Sequence, residues 1–294
     1  MQAALDCMSC FVRQALEAAR LAAESEAVHT EVMKRVLAEL SDLDLRVTPP
    51  EVGGRVHALV QEITGVADPY GPQKRRFTEQ ALALLPALER RVRASERPFE
   101  TALRYAAAGN VIDLGVNGTL AEAEVERALA EAESKRLDAA AVEALYRAAA
   151  SADTVLFIAD NAGELVFDRM LIEQLPAAQV TVAVKGGPVL NDATRADAEQ
   201  ARIGDVARII DTGQATPGVV LETTGPEFRR AFARSDLVIA KGQGNYEGLS
   251  TAPREVFFLL TVKCSVVAAD LGAPLGTLHI GRRRPEDDLE EQAL

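Results

Sequence analysis

The chain has 294 residues, of which 48% are hydrophobic and 26% charged, and its formal net charge at pH 7 is −12. This length allows one large α/β domain or a medium domain with a smaller one. Aromatic residues make up only 4% of the chain, and the acidic charge opposes a phosphate backbone, so we expect no nucleic-acid partner. No stretch resembles a membrane span or a signal peptide, so we expect a cytoplasmic protein with no membrane partner.

The first part of the chain predicts helices without strands. From Phe11 to about Arg93, apolar residues recur three and four positions apart, with arginine and glutamate between them. A further helix is predicted to start near Pro98 and to end at Gly109. We therefore predict an all-helical subdomain over residues 1–100.

Two segments follow before the pattern changes. Residues 109–118 are apolar and rich in glycine and amides, which fits a buried loop near a ligand, and a helix C-cap with a turn explains them equally well. Residues 120–150, rich in alanine, glutamate and leucine, predict one or two amphipathic helices.

After Ala152 short apolar runs alternate with helical segments. The runs that predict strands are 154–159, 179–184, 207–210, 236–240 and 265–269. The segments that predict helices are 164–175, 192–202, 226–234 and 251–262. Continuous apolar strands separated by helices are typical of a parallel sheet that is covered on both faces. We therefore predict an α/β domain over residues 101–294, with a doubly wound, mostly parallel sheet and helices on both faces.

Polar side chains follow three of the predicted strands. Asp160 and Asn161 follow the first strand, Asp192 lies in the loop after the second, and Lys241 follows the fourth. The carboxyl ends of parallel strands lie at one edge of a sheet, so these groups share a crevice if the strands are neighbours. Taken singly, each aspartate also fits a helix N-cap and Lys241 a solvated strand end. Their coincidence at one edge favours a functional site.

The residue types at this edge favour a hard metal ion and a phosphate. Carboxylate and amide oxygens suit Mg²⁺ or Mn²⁺. The three histidines lie away from these strand ends, which disfavours a zinc site or a Ser-His-Asp triad. Lys241, beside a glycine-rich turn, would hold a phosphate as a point charge. Ala162 stands where phosphatases with an aspartate nucleophile have a second aspartate, which favours attack by a metal-activated water.

Several segments, in chain order, resemble the damage-control phosphatase (ARMT1-like) family. The segments are 109–113, 160–164, 185–194, 241–247 and 262–264, and the C-x-x-C of Cys7 and Cys10 resembles the family's prokaryotic branch. The resemblance covers nearly the whole chain. It implies a helical N-terminal part, an α/β catalytic domain and a metal-dependent phosphatase. Its substrates would be small phosphorylated metabolites, such as sugar phosphates, phosphopantetheine derivatives or damaged metabolites.

The matching motif positions imply roles for individual residues. Asp160, Asn161 and Asp192 would hold the metal, with Mn²⁺ or Mg²⁺ expected and Ni²⁺ or Co²⁺ as further candidates. Lys241 would contact the substrate phosphate, and Asp160, Asn161, Asp192 and Lys241 form the expected catalytic set. The expected substrate-binding set consists of Asn110, Gly163, Glu164, Gly242 and Asn245.

Two other functions fit the same residues. The crevice could hold a phosphorylated metabolite without turnover, as in a sensor protein. A carboxyl methyltransferase dependent on S-adenosylmethionine has been proposed within the family, but no feature here indicates a methyl-donor site. Three cysteines, Cys7, Cys10 and Cys264, are too few for a disulfide framework, and they fit packed thiols, a redox pair or an incomplete zinc set.

Overall fold

The computed structural model of the chain describes residues 1–109, 130, 133–134, 137–176 and 179–285. Residues 1–109 form helices and no strands, as predicted. These helices are α1 (Leu5–Ala22), α2 (Glu26–Ser41), α3 (Pro49–Thr64), α4 (Gly71–Ala94) and α5 (Pro98–Gly109). None of the helices in the described ranges has the length and apolarity that a membrane crossing requires. The predicted loop at 110–118, with Asn110, and most of the segment 120–150 lie outside the described residues.

Local sequence explains where α3 begins and ends. Thr48 and Glu51 form a capping box, in which the Thr48 backbone N–H donates to Glu51 Oε2 at 2.7 Å. Pro49 occupies the first turn, where its missing N–H costs no hydrogen bond. Gly65 ends the helix with a φ of 70°, a conformation that glycine adopts without steric cost. Together with α1 and α2, α3 encloses a separate apolar core.

A six-stranded sheet follows helix α6 (Ala139–Ser151). Its strands are β1 (Thr154–Ile158), β2 (Gln179–Val184), β3 (Arg208–Asp211), β4 (Leu237–Lys241), β5 (Val256–Thr261) and β6 (Leu278–Arg283). The spatial order is β3-β2-β1-β4-β5-β6, and only β6 runs antiparallel to its neighbour. The helices between the strands are α7 (Leu165–Glu173), α8 (Arg195–Gln200), α9 (Pro226–Arg234), α10 (Gln243–Leu249) and α11 (Ser265–Leu271). The doubly wound, mostly parallel sheet is therefore confirmed.

Both faces of the sheet are covered, because neighbouring residues of each strand point to opposite sides. Phe157 of β1 belongs to a core that includes residues of α4, α5, α6 and α7. Its neighbours Leu156 and Ile158 belong to a second core with residues of α9, α10 and α11. Helices α4 and α5 thus pack with the sheet rather than with α1–α3. A division of the chain at residue 100 stays a prediction.

Two predicted elements near the end of the chain were wrong. The segment 251–262, predicted as a helix, contains β5, and the segment 265–269, predicted as a strand, lies in α11. All six residues of β5 are buried, so its continuous apolar run has no polar face that a surface helix would need. Cys264 caps α11, because its Sγ accepts a hydrogen bond from the Val267 backbone N–H. Strand β6 was not predicted.

Candidate functional site

The loops after β1 and β2 are joined by backbone hydrogen bonds. Asn161 and Asp192 form an isolated antiparallel bridge. On either side of it, Ala162 N–H donates to Asn191 O at 2.9 Å and Ala193 N–H donates to Asp160 O at 2.8 Å. Because β1 and β2 are neighbours in the sheet, the structure brings Asp160, Asn161 and Asp192 together at its carboxyl edge.

Neither aspartate is a helix cap. Helix α7 has Glu164 at its N-cap, and α8 has Thr194, which forms a capping box with Asp197. Asp160 and Asp192 are nevertheless buried, with 9% and 4% of their surface exposed. Burying a carboxylate is unfavourable unless charges or hydrogen bonds compensate it, and helix capping does not supply that compensation here.

The side-chain amide of Asn161 has a defined orientation. Its Nδ2 donates to Asp160 Oδ2 at 3.1 Å and to Glu164 Oε2 at 3.2 Å. Both N–H groups of the amide are therefore used by carboxylates. The carbonyl oxygen Oδ1 is the atom of Asn161 that can serve as a metal ligand.

Asp192 has one carboxylate oxygen that accepts no hydrogen bond from any described residue. This atom, Oδ2, lies 3.5 Å from Lys185 Nζ. Lys185 donates instead to Gly218 O and to Asn245 Oδ1, each at 3.0 Å. With the Lys185 ammonium 3.5 Å away and no hydrogen bond, this buried carboxylate oxygen can take a metal ion as a further partner.

Electrostatics at the site also favour a cation. Burial, followed by the negative charges of Glu164 and Asp192, raises the pKa of Asp160 well above its usual range, while Lys263 and Lys185 oppose this rise. Burial likewise raises the pKa of Asp192, against the effect of Lys185. A divalent cation among these oxygens would favour the ionised form of both carboxylates.

The candidate metal ligands are of two chemical kinds, carboxylate and amide. Among the described residues, no group of three or more His, Cys, Asp or Glu side chains is arranged to hold a metal ion. The set Asp160, Asn161 and Asp192 instead combines two carboxylates with an amide. Such a set suits Mg²⁺ or Mn²⁺, which bind through one or two carboxylates and retain several waters or substrate oxygens.

Lys241 does not face open space. Its Nζ donates to Ala106 O at 3.0 Å, to Glu164 Oε1 at 2.5 Å and to Asp168 Oδ1 at 2.5 Å. Only 1% of Lys241 is exposed. Burial by itself would lower the pKa of Lys241, but Asp168 and Glu164 raise it, so the side chain is an ammonium. An ammonium has three N–H donors, and the protein uses all three.

The expected substrate-binding residues lie in different environments. A Cβ atom on Gly163 would be 2.1 Å from the ring of Phe77, so this glycine allows α4 to approach closely. Asn245 donates to Ala159 O at 3.0 Å and to Lys241 O at 2.7 Å, which ties β1 to β4. Gly242 lies directly against the Asp160 carboxylate.

Lys263 is a further candidate that the sequence patterns left without a role. It is exposed and lies two residues after β5, and its positive charge acts on Asp160. Its backbone N–H donates to Gln243 Oε1 at 3.0 Å. The sequence pattern predicts a helix over 251–262, so it does not indicate that Lys263 follows a strand.

The three cysteines are free thiols, each of them partly exposed. Cys264 Sγ accepts a hydrogen bond from Gln243 Nε2 at 3.4 Å as well as the one from Val267. Burial raises the pKa of the Cys7 thiol, and the backbone N–H of Ala4 opposes this rise.

Comparison with known proteins gives a family for this arrangement. The model of the damage-control phosphatase ARMT1-like domain matches residues 3–278. The chain belongs to the damage-control phosphatase family. The match runs from before α1 to the first residue of β6 and therefore includes every residue of the candidate site.

Relatives within the damage-control phosphatase family match nearly the whole chain. A protein of Archaeoglobus fulgidus called a damage-control phosphatase is 32% identical over 278 residues, which cover 92% of this chain and 96% of that protein. A damage-control phosphatase of Pyrococcus horikoshii is 32% identical over 291 residues, covering 97% and 99%. The crystal structure of a DUF89 family protein from Pyrococcus horikoshii superposes with a TM-score of 0.89 at 30% identity, covering 97% of this chain and all of the other.

Proposed function

We propose that the protein is a divalent-metal-dependent phosphomonoesterase that acts on small phosphorylated metabolites in metabolite repair. One observation carries the proposal: Asp160, Asn161 and Asp192 converge at the carboxyl edge of the sheet, joined by the bridge between Asn161 and Asp192. The names of the family and of its relatives support phosphatase activity.

The metal would be held by a carboxylate oxygen of Asp160, by Asn161 Oδ1 and by Asp192 Oδ2. The last of these accepts no hydrogen bond from the described residues, which supports its assignment as a ligand. Mn²⁺ or Mg²⁺ fits these oxygen donors, with Ni²⁺ and Co²⁺ as further candidates. A divalent cation bound there would supply Lewis acidity toward the phosphoryl group and the attacking water.

The protein's own residues would bind and orient the substrate. Lys263 is an exposed lysine whose positive charge opposes the rise in the pKa of Asp160, and it would hold the phosphate and offset the charge that develops on its oxygens. Lys185 would keep Asp192 in place through its 3.5 Å ion pair. Lys241, whose three donors are used inside the protein, is not assigned a phosphate contact.

The test is phosphate release from an aryl phosphate and from a panel of sugar phosphates and phosphopantetheine derivatives, with Mn²⁺ and with a chelator. Asp192→Asn preserves the shape of the side chain and should lower turnover by more than roughly 100-fold. Asp205→Asn alters a largely exposed carboxylate in an ion pair with Arg169 and should retain turnover. Full turnover in chelator, or in Asp192→Asn, would exclude the proposed mechanism. Tight metabolite binding without phosphate release would favour a sensor.

A further inference from the structure

Lys241, Glu164 and Asp168 form a buried charged cluster behind the candidate metal site. Lys241 Nζ lies 2.5 Å from one oxygen of each carboxylate. The side chains of both carboxylates are completely buried, and 1% of the Lys241 side chain is exposed. The cluster joins the end of β4 to the start of α7, and Ala106 O connects it to α5.

This cluster leaves Lys241 no donor for a substrate. Its third N–H is used by Ala106 O at 3.0 Å. A phosphate oxygen could bind Nζ only by displacing Ala106 O or one of the carboxylates. Displacing a carboxylate would leave a buried negative charge without its partner, next to an incoming anion, and both changes are unfavourable.

Glu164 connects the cluster to the site. Its Oε1 accepts from Lys241, and its Oε2 accepts from Asn161 Nδ2 at 3.2 Å. Lys241 thus holds one oxygen of Glu164 in place. The other oxygen accepts from the NH₂ end of the Asn161 amide, which leaves Oδ1 on the opposite end. Groups that orient metal ligands in this way tune metal affinity without touching the metal.

We infer that Lys241 is a positioning residue, which acts through Glu164 to present Asn161 Oδ1 to the metal, and that it does not bind the substrate phosphate. The inference rests on the proposed function, because it requires Asn161 to be a metal ligand. It reverses the role that the sequence motif implied for Lys241, and it leaves Lys263 as the lysine that contacts the phosphate.

The experiment compares Lys241→Met with Lys263→Met in the full chain. Mn²⁺ affinity is measured by titration without substrate, and phosphate affinity is measured as inhibition by inorganic phosphate at saturating Mn²⁺. Lys241→Met should weaken Mn²⁺ binding by roughly 10- to 100-fold and leave phosphate inhibition unchanged. Lys263→Met should leave Mn²⁺ binding unchanged and weaken the inhibition by phosphate.

A second variant covers the case in which Lys241→Met does not fold. Glu164→Gln keeps the shape of the side chain, but one of its two ends becomes an NH₂ group that faces either the Lys241 ammonium or Asn161 Nδ2. Either orientation opposes two donors, so Mn²⁺ affinity should fall while circular dichroism stays that of the wild type. Lys241→Arg, which restores the positive charge, should bind Mn²⁺ more tightly than Lys241→Met.

The outcomes separate the inference from the proposed function. Weaker phosphate inhibition with wild-type Mn²⁺ affinity in Lys241→Met would assign Lys241 to the phosphate and overturn the inference alone. Wild-type Mn²⁺ affinity in a folded Glu164→Gln variant would also overturn it. A wild-type protein that binds no Mn²⁺ and releases phosphate in chelator would overturn both.

Discussion

Gly242 passes so close to Asp160 that a Cβ atom on Gly242 would lie 1.9 Å from Asp160 Oδ2. The Gly242 backbone has a φ of 80°, which side chains other than glycine rarely adopt. The glycine after β4 therefore makes room for the carboxylate after β1. The aspartate after β1 thus explains why the segment after the neighbouring strand β4 has a glycine at this position.

Gly242→Ala should displace the Asp160 carboxylate and weaken Mn²⁺ binding by at least about 10-fold, because a metal ligand loses its position. Gly272→Ala is the matched control, since Gly272 has a φ of 62° and no atom would lie within 4 Å of a Cβ there. Alanine in the left-handed conformation of Gly272 costs roughly 1–2 kcal/mol, and alanine at the φ of 80° and ψ of 163° of Gly242, a region almost restricted to glycine, costs roughly 1–3 kcal/mol. Thermal unfolding of the two variants measures these backbone costs, and Mn²⁺ titration measures the displacement of the carboxylate. Equal Mn²⁺ affinities would contradict the prediction.

Lys74 connects α4 to the loop that carries Asp192. Its Nζ lies 2.9 Å from Asp197 Oδ2 and 3.3 Å from Asp68 Oδ2, and it donates to Asp192 O at 3.4 Å. Lys74→Met would leave buried Asp197 without its cation and should lower the free energy of unfolding by about 3–5 kcal/mol. Urea unfolding measures this change.

The control for Lys74 is the exposed ion pair of Arg46 and Asp44, whose atoms lie 2.7 Å apart. Water and salt screen such a pair, so Arg46→Met should leave the unfolding midpoint unchanged. A loss of stability in Arg46→Met as large as that in Lys74→Met would show that burial does not determine the effect.

His57 should make the protein sensitive to acid. Burial lowers the pKa of His57 from 6.5 to about 4, and its Nε2 has no hydrogen-bond partner among the described residues. Below pH 6.5 the imidazole of His57 is protonated in the unfolded chain but stays neutral in the folded chain. The free energy of unfolding therefore falls as the pH decreases. The loss from this group between about pH 7 and about pH 5 should be about 2 kcal/mol.

The measurement is urea unfolding of the wild type and of His57→Leu at both pH values. The variant has no imidazole at this position, so its free energy of unfolding should fall less on acidification. The same pH dependence in both proteins would assign the acid sensitivity to other groups. The predicted window lies between the two pKa values of His57, because above it both states are neutral and below it both are protonated.

The strand pattern was predictable wherever strands alternate with recognisable helices. β1, β2 and β4 were predicted within a residue of their observed ends, because each is a mainly apolar run that stops at polar residues. The pattern failed at β5 and α11, where a strand and a short helix have similar composition. An apolar run of six residues has no periodicity that separates a buried strand from a buried helix.

The convergence of Asp160, Asn161 and Asp192 was predictable for a topological reason. Parallel strands place their carboxyl ends at one edge, so a prediction of neighbouring strands is also a prediction of neighbouring side chains. The alternative of helix caps could be resolved only from structure, because it depends on which residue precedes each helix. Glu164 and Thr194 occupy those cap positions.

The sequence by itself determined the residue types of the candidate site: two aspartates and an asparagine after neighbouring strands, lysines after other strands, and no histidine close to them in sequence. It could not determine which partner each lysine takes. Lys241 pairs with Glu164 and Asp168, which precede it by 77 and 73 residues, because α7 packs beside β4. Lys263, two residues after the end of β5, is exposed. Which carboxylate each lysine pairs with depends on the burial of the groups and on the distances between them. Only the tertiary structure determines these two quantities.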